Sequence, residues 1–351
     1  MSDSESPISY VLSLRAGDWV EVRSVEEIFA TLDERGSLES LPYMPEMLQY
    51  CGKKFRVFKV AHKTCDTIAH YKGRRMTNAV HLEGLRCDGK AHGSCQAGCL
   101  LFWKEAWLKR VTKRELYVHP VELASVERPA VKNAVARFDL KALWQSTKGS
   151  IAQGNTAERY ICQATELLRA TSPLKWWDPR QYLKDLISRN LRFRDFIHYG
   201  TIALFNLVMR SHWRGRPYPY VRGLVKGNSP TAVLNLQPGE LVQVRTRDEI
   251  MSTINEDRKN RGLTFDVEMV PYCGKMFRVL GRVERLINEK NGAMTQISGD
   301  CIILEGVTCS GCFSDNRLFC PRSVYPYWRE IWLKRVNGPD AKFASSTSSL
   351  G

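Results

Sequence analysis

Gly17-Asp18-Trp19-Val20-Glu21-Val22-Arg23 returns later in the chain as Gly239-Glu240-Leu241-Val242-Gln243-Val244-Arg245, an offset of 222. A constant offset between similar segments defines architecture before any local reading does. The match continues on both sides of this stretch. Glu27-Ile28 returns as Glu249-Ile250, Tyr50-Cys51-Gly52-Lys53 as Tyr272-Cys273-Gly274-Lys275, and Phe55-Arg56-Val57 as Phe277-Arg278-Val279. Leu82-Glu83-Gly84 with Cys87 returns as Leu304-Glu305-Gly306 with Cys309. Trp103 and Trp107-Leu108-Lys109-Arg110-Val111 match Trp328 and Trp332-Leu333-Lys334-Arg335-Val336 at an offset of 225, so three residues are gained between Cys309 and Trp328. The chain reads as an internal duplication of a module of roughly 95 residues around a different middle.

Within each copy, Trp19 to Val22, Phe55 to Phe58 and Val80 to Glu83 alternate apolar and polar residues, as half-buried strands do. Ser24 to Leu32 places Val25, Ile28, Phe29 and Leu32 on one helical face. The glycine-acid turn followed by an alternating strand resembles small five-stranded SH3-like barrels, including the KOW-type modules of translation and transcription factors. The expected class is α+β: two small SH3-like β-barrel modules flanking a basic helical segment. Expected boundaries are 1–10 for a disordered start, 11–115 for the first module, 116–233 for the middle, 234–338 for the second module and 339–351 for a disordered tail.

The middle differs chemically. Residues 1–111 hold 16 cationic and 14 acidic side chains, residues 112–238 hold 20 and 9, and residues 239–351 hold 16 and 14, so the middle carries nearly all of the net +15. Asn155-Thr156-Ala157-Glu158 has the form of a capping box opening a helix with Ile161, Ala164, Thr165 and Leu168 on one face. Asp178-Pro179 opens another, with Tyr182, Leu183, Leu186 and Ile187 as its apolar stripe. Phe196 to Met209 is expected as a third, more buried helix, too short for the roughly 20 residues of a membrane span. Met1 to Tyr10 has acids at Asp3 and Glu5 and no apolar run, which is unlike a secretory signal and gives a cytoplasmic expectation.

Eleven cysteines in a reducing compartment point to thiols or metal ligands before disulfides. Cys51, Cys87 and Cys95 align with Cys273, Cys309 and Cys320. A tetrahedral structural zinc site needs four thiolate or imidazole ligands. The fourth is Cys65, Cys99 or His92 in the first copy and Cys312 or Cys301 in the second, where Ile287 stands in the place of Cys65. Ordinary buried thiols and redox use are the competing readings. A catalytic Cys95 near His92 has no counterpart around Cys320. The paired tryptophans, four apart in both copies, read as core in preference to a ligand platform.

From Phe196 to Gly239 there is no acid, and Arg210, Trp213, Arg214, Arg216, Tyr218, Tyr220, Arg222 and Lys226 interleave cations with rings. Such a segment suits phosphates and stacked bases, which favours nucleic acid as the partner. An anionic membrane surface, an acidic protein or a plain solvated face are the alternatives. Signatures for nucleotide binding, zinc peptidases and serine hydrolases are missing from the sequence, so a non-enzymatic binding protein is expected.

Tyr50-Cys51-Gly52, Lys63-Thr64-Cys65-Asp66, Leu82-Glu83-Gly84, Trp107-Leu108-Lys109-Arg110 and Cys162-Gln163-Ala164-Thr165-Glu166-Leu167 together resemble a family of uncharacterised bacterial proteins with this two-module layout. The resemblance spans most of the chain and implies the layout without an activity. It also suggests the alternative of an accessory factor or unrecognised enzyme in surface-polysaccharide or secondary-metabolite assembly, peripheral at the membrane.

Overall fold

Gly17 and Gly239 adopt φ of 91° and 87°, which L side chains rarely reach, and so turn the chain into the first strand of each module. The computed structural model describes residues 11–68, 72–112, 139–149, 158–211, 215–297 and 300–336; the expected disordered ends lie outside them. In β1 (Trp19–Val22), Val20 and Val22 are buried while Trp19 is exposed, as a period of two requires. Ser24 then caps α1 (Val25–Phe29) through a capping box with Glu27. This helix stops at Phe29, short of the expected Leu32, because Thr31 and Leu32 donate to the carbonyls of Ile28 and Phe29 in tighter turns.

The short pair β2 (Ser37–Leu38) and β3 (Leu41–Pro42) leads to a 3-10 helix, Pro45–Tyr50. The chain continues through β4 (Lys54–Val60), β5 (Lys63–Cys65), β6 (Gly73–Arg75), β7 (Ala79–Leu82) and β8 (Trp103–Lys104). A 3-10 turn, Glu105–Trp107, precedes β9 (Leu108–Arg110). The main sheet runs β8-β7-β4-β1-β9, all antiparallel, with Trp19 opposite Arg56 and Val22 opposite Leu108.

In the middle, Asp139 caps α2 (Leu140–Ser146), and β10 (Ser172–Pro173) pairs with β6 of the first module. Two longer helices follow, α3 (Arg180–Ile187) and α4 (Phe193–Ser211). The capping box at Asn155 lies outside the described residues, but 163–169 forms turns instead of the expected helix. Gln163 accounts for this. Its amide is spent on the first module, accepting from the Phe102 N–H at 2.8 Å and donating to the Phe102 and Pro42 carbonyls at 2.9 and 3.0 Å.

The second module repeats the pattern with β11 (Leu241–Val244), α5 (Arg247–Met251), β12 (Lys259–Asn260), β13 (Leu263–Thr264) and the 3-10 helix Val267–Tyr272. Then come β14 (Met276–Arg282), β15 (Arg285–Ile287), β16 (Met294–Gln296), β17 (Cys301–Leu304), β18 (Trp328–Arg329), a 3-10 turn Glu330–Trp332 and β19 (Leu333–Arg335). Its sheet, β18-β17-β14-β11-β19, has the order and registers of the first, with Leu241 opposite Arg278 and Val244 opposite Leu333.

The α+β class stands, but among the described residues neither sheet closes into the expected barrel. Side chains from the long β1–β4 connection, including Leu41, Tyr43, Met44 and Met47, fill the core that closure would otherwise fill. The tryptophans are core, not platform. Tyr43 meets Trp103 and Trp107 edge-on at 6.4 and 5.1 Å, and Phe265, in the equivalent place, meets Trp328 and Trp332 at 6.2 and 5.4 Å. Trp107 and Trp332 donate to Thr31 and Thr253, which also match at 222. Glu105 and Glu330 are buried and accept the amides of Leu12, Ser13 and Leu14 and of Leu234, Asn235 and Leu236. Each carboxylate thus fastens the incoming chain to its module.

The modules meet through reciprocal contacts of the kind an isologous interface makes. Cys65 of the first lies against Cys320 of the second, and Ile287, which replaces Cys65, donates its amide to the Cys95 sulfur at 3.4 Å. Arg322, 2% exposed, crosses the seam to the Cys65 carbonyl and the Thr67 hydroxyl while it pairs with Glu289 of its own module.

His81 sits fully buried in β7, with its Nδ1 2.9 Å from the Leu101 carbonyl. Burial drops its pKa to about 3, against the raising effect of the Leu101 bond. A depressed histidine contributes stability above its unfolded value of 6.5 that is lost as pH falls toward about 3. We expect His81→Phe to lose less stability than the parent between pH 6.5 and 3, by up to about 4 kcal/mol, in urea melts. Parallel losses would show that another group controls acid unfolding.

Candidate metal centre

Glu46 enters the first module on the 3-10 helix that Pro45 starts. Cys87 and His92 come from the loop after β7. There the Asp88-Gly89 turn folds the chain back: Lys90 donates its amide to the Asp88 carboxylate at 3.0 Å, and His92 and Ser94 donate to the Gly89 carbonyl at 3.1 and 2.9 Å. Gly89 has φ 71°, and a Cβ there would lie 2.1 Å from the Cys95 carbonyl oxygen, so no other residue closes this turn without displacing backbone.

The turn places Cys87 Sγ 3.3 Å from His92 Nε2 and His92 Nδ1 3.8 Å from Glu46 Oε1. One ligand atom from each of the three residues lies within 4.8 Å of the others; no other such group exists among the described residues. The Glu46 and His92 side chains are 3% and 2% exposed. The Cys87 thiol approaches Glu46, yet neither carboxylate oxygen nor His92 Nδ1 has a hydrogen-bond partner of sound geometry. Burial pushes the Glu46 carboxyl and the Cys87 thiol above their ordinary values and lowers His92 to about 4. The three groups face a cavity of about 40 Å³, room for an ion with a water, also lined by Cys99, Cys162 and Gln163 and by Glu289 and Arg322 of the second module.

The second module has the same carboxylate in a different state. Glu268, at the 222 offset from Glu46, accepts from the Ser310 hydroxyl at 2.6 Å, the Cys312 and Phe313 amides at 3.2 and 2.7 Å and the Ser314 hydroxyl at 2.9 Å. Gly311 makes the corresponding turn with φ 70°. The same offset puts Cys309 in the place of Cys87 and Ser314 in the place of His92. One module therefore satisfies its buried glutamate with its own loop, and the other leaves it facing an imidazole and a thiol.

Of the ten cysteines singled out by sequence, only Cys87 belongs to the converging group; Cys99 lines its cavity, and Cys301 is buried in β17. Cys51 Sγ is 3.4 Å from the Tyr43 hydroxyl, and Cys273 is half-buried, its thiol pushed by burial to about 11. Cys312 Sγ is 3.7 Å from the Ser310 carbonyl oxygen, with its thiol likewise raised to about 11, and burial raises the Cys309 thiol. The Cys65 and Cys320 thiols are hydrogen-bonded to each other; this bond, with Arg322 and against burial, lowers Cys65, and the same bond together with burial raises Cys320. Cys95 serves the module seam.

Of the proposed anion-binding residues, Arg216 lies over the Tyr220 ring at 5.2 Å, Arg222 is paired with Glu256 at 3.0 Å, and Tyr218 and Lys226 are exposed. Arg210 is in the last turn of α4. Trp213 and Arg214 lie outside the described residues. Sequence reasoning missed Glu46, although Glu46-Met47 returning as Glu268-Met269 just before the Tyr-Cys-Gly-Lys match carried the signal. No protein-family model, curated protein or solved structure matches the chain.

Proposed function

We propose that this is a non-catalytic binding protein whose first module holds one divalent ion of the zinc class at Glu46, Cys87 and His92. The observation that carries this reading is the contrast between Glu46, buried with no sound partner, and Glu268, buried with four. A buried carboxylate without partners is costly, and a cation between it, a thiol and an imidazole removes that cost. Sulfur, nitrogen and oxygen donors together suit zinc, and three protein ligands leave a fourth position open toward the cavity. Bound there, the ion would tie the 85–92 loop to the helix bearing Glu46 beneath the Cys162–Ala164 segment. The strand order supports an SH3-like reading of each module: a four-strand meander, a 3-10 turn, and a last strand returning beside the first.

His92 also faces Cys87 with one nitrogen and Glu46 with the other, which favours a second reading as a nucleophile, base and carboxylate relay. The 3.8 Å to Glu46 is too long for the orienting hydrogen bond, and burial disfavours the thiolate. Chelator treatment tests the choice. The parent protein should lose several degrees of melting temperature with a strong chelator and regain them with added zinc, whereas His92→Ala should not respond. An unresponsive parent would remove the metal reading.

A further inference from the structure

We infer that the outer face of α3 and α4 docks on an anionic lipid bilayer. This reading does not depend on the metal centre. The first helix is turned opposite to the usual sense, and the second, although Phe196 and Tyr199 pack on Phe319 and Phe313, leaves much of its apolar surface outside. α3 buries Gln181 and Asp185 and leaves Leu183 and Ile187 58% and 57% exposed. α4 was expected to be the most buried helix of the middle, yet Asn206 is its one buried residue, while Phe193 and Leu204 are 70% and 63% exposed. Trp177, just before α3, is 61% exposed. An apolar surface of this extent on a single chain marks a binding face.

Charge identifies the occupant. Lys184, Arg189, Arg192 and Arg194, interspersed in sequence with these apolar residues, are exposed as well. The acids of the same stretch are fewer and less exposed: Asp178 is held by Arg75 and Arg180, Asp185 by Lys63, and Asp195 is half-buried. The face presented to solvent is therefore apolar and cationic with almost no acidic component. Nucleic acid would answer the cations and stack on Trp177 and Phe193, but it would leave the aliphatic Leu183, Ile187 and Leu204 uncovered. A second copy would set cations against cations. An anionic bilayer answers both features, since aliphatic and tryptophan side chains enter the interface while lysine and arginine meet lipid phosphates and carboxylates. No helix among the described residues is long and apolar enough to cross a membrane, so the chain would lie on the surface.

The test is co-sedimentation of the full chain with vesicles of phosphatidylcholine alone and of phosphatidylcholine with phosphatidylserine at roughly 7:3. Binding is expected only to the mixed vesicles and should weaken with salt. Arg192→Glu with Arg194→Glu should reduce it by roughly tenfold or more. Leu183→Ser with Ile187→Ser, at exposed positions that leave melting temperature unchanged, should reduce it by a similar factor. Three results would overturn the inference: no binding to mixed vesicles; binding to single-stranded DNA or RNA in their place, lost on the charge changes but kept on the apolar ones; or a concentration-dependent dimer that the apolar changes dissociate.

Discussion

Glu268→Ala is expected to cost about 3–5 kcal/mol of stability, while Glu46→Ala in metal-free protein costs little or is stabilising. The first change strands the Phe313 amide and the Ser310 and Ser314 hydroxyls, and leaves the Cys312 amide with the Ser310 oxygen alone; all four are now directed at one carboxylate. Hydrogen bonds to a charged acceptor contribute roughly 1.5–3 kcal/mol each and do not add fully, which sets the range. The second change removes a buried carboxyl that burial already drives toward its protonated form and that has no sound partner to strand. With zinc present the order should narrow, because Glu46→Ala then loses a ligand. Denaturant melts of both variants, with chelator and with zinc, report this directly. Equal costs under chelator would mean that Glu46 is satisfied by the polypeptide alone.

Asp185→Ala should be comparably damaging, by about 3–5 kcal/mol, because it leaves a buried ammonium without its counter-charge. Lys63 is 3% exposed and its Nζ is 2.6 Å from Asp185, with His62 Nε2 at 3.3 Å from the other oxygen. Burial raises the Asp185 carboxyl to about 6 even though Lys63 pulls it down, a measure of how far the pair is removed from water. Replacing both partners, Lys63→Met with Asp185→Leu, should restore most of the lost stability, since buried ion pairs often exchange for apolar packing near neutrality. Thermal melts of the single and double variants test this. A double variant as unstable as the single one would show that Asp185 stabilises through His62 and the surrounding backbone, and not through Lys63.

That same pair explains where sequence reading fell short. The apolar stripe of α3 was legible from Tyr182, Leu183, Leu186 and Ile187, but periodicity does not say which side of a helix meets the protein. Lys63, on β5, draws Asp185 inward, and Gln181 donates to the carbonyls of Lys175 and Trp176 at 2.9 and 3.3 Å, so the polar side is the covered one. The two modules were legible because their turns, strands and tryptophans depend on local pattern, which repeats at fixed offsets. The metal centre was half legible. Cys87 and His92 stood among the candidates, but pairing cysteine with cysteine hid the acidic ligand. The fate of Glu46 and Glu268 is decided by one difference, His92 against Ser314, whose meaning emerges only when the loop after the strand folds over the carboxylate. Cys65 and Cys95 were assigned to metal because spacing along the chain cannot show that each faces the other module.

Elemental mass spectrometry on the full chain, purified without chelator, tests the central claim most directly. One zinc per chain is expected, lost in His92→Ala and Glu46→Gln and retained in a protein changed at Cys309. No bound metal would contradict the account, and so would two ions per chain, because a second ion would require the module of Glu268 and Ser314 to bind as the first does.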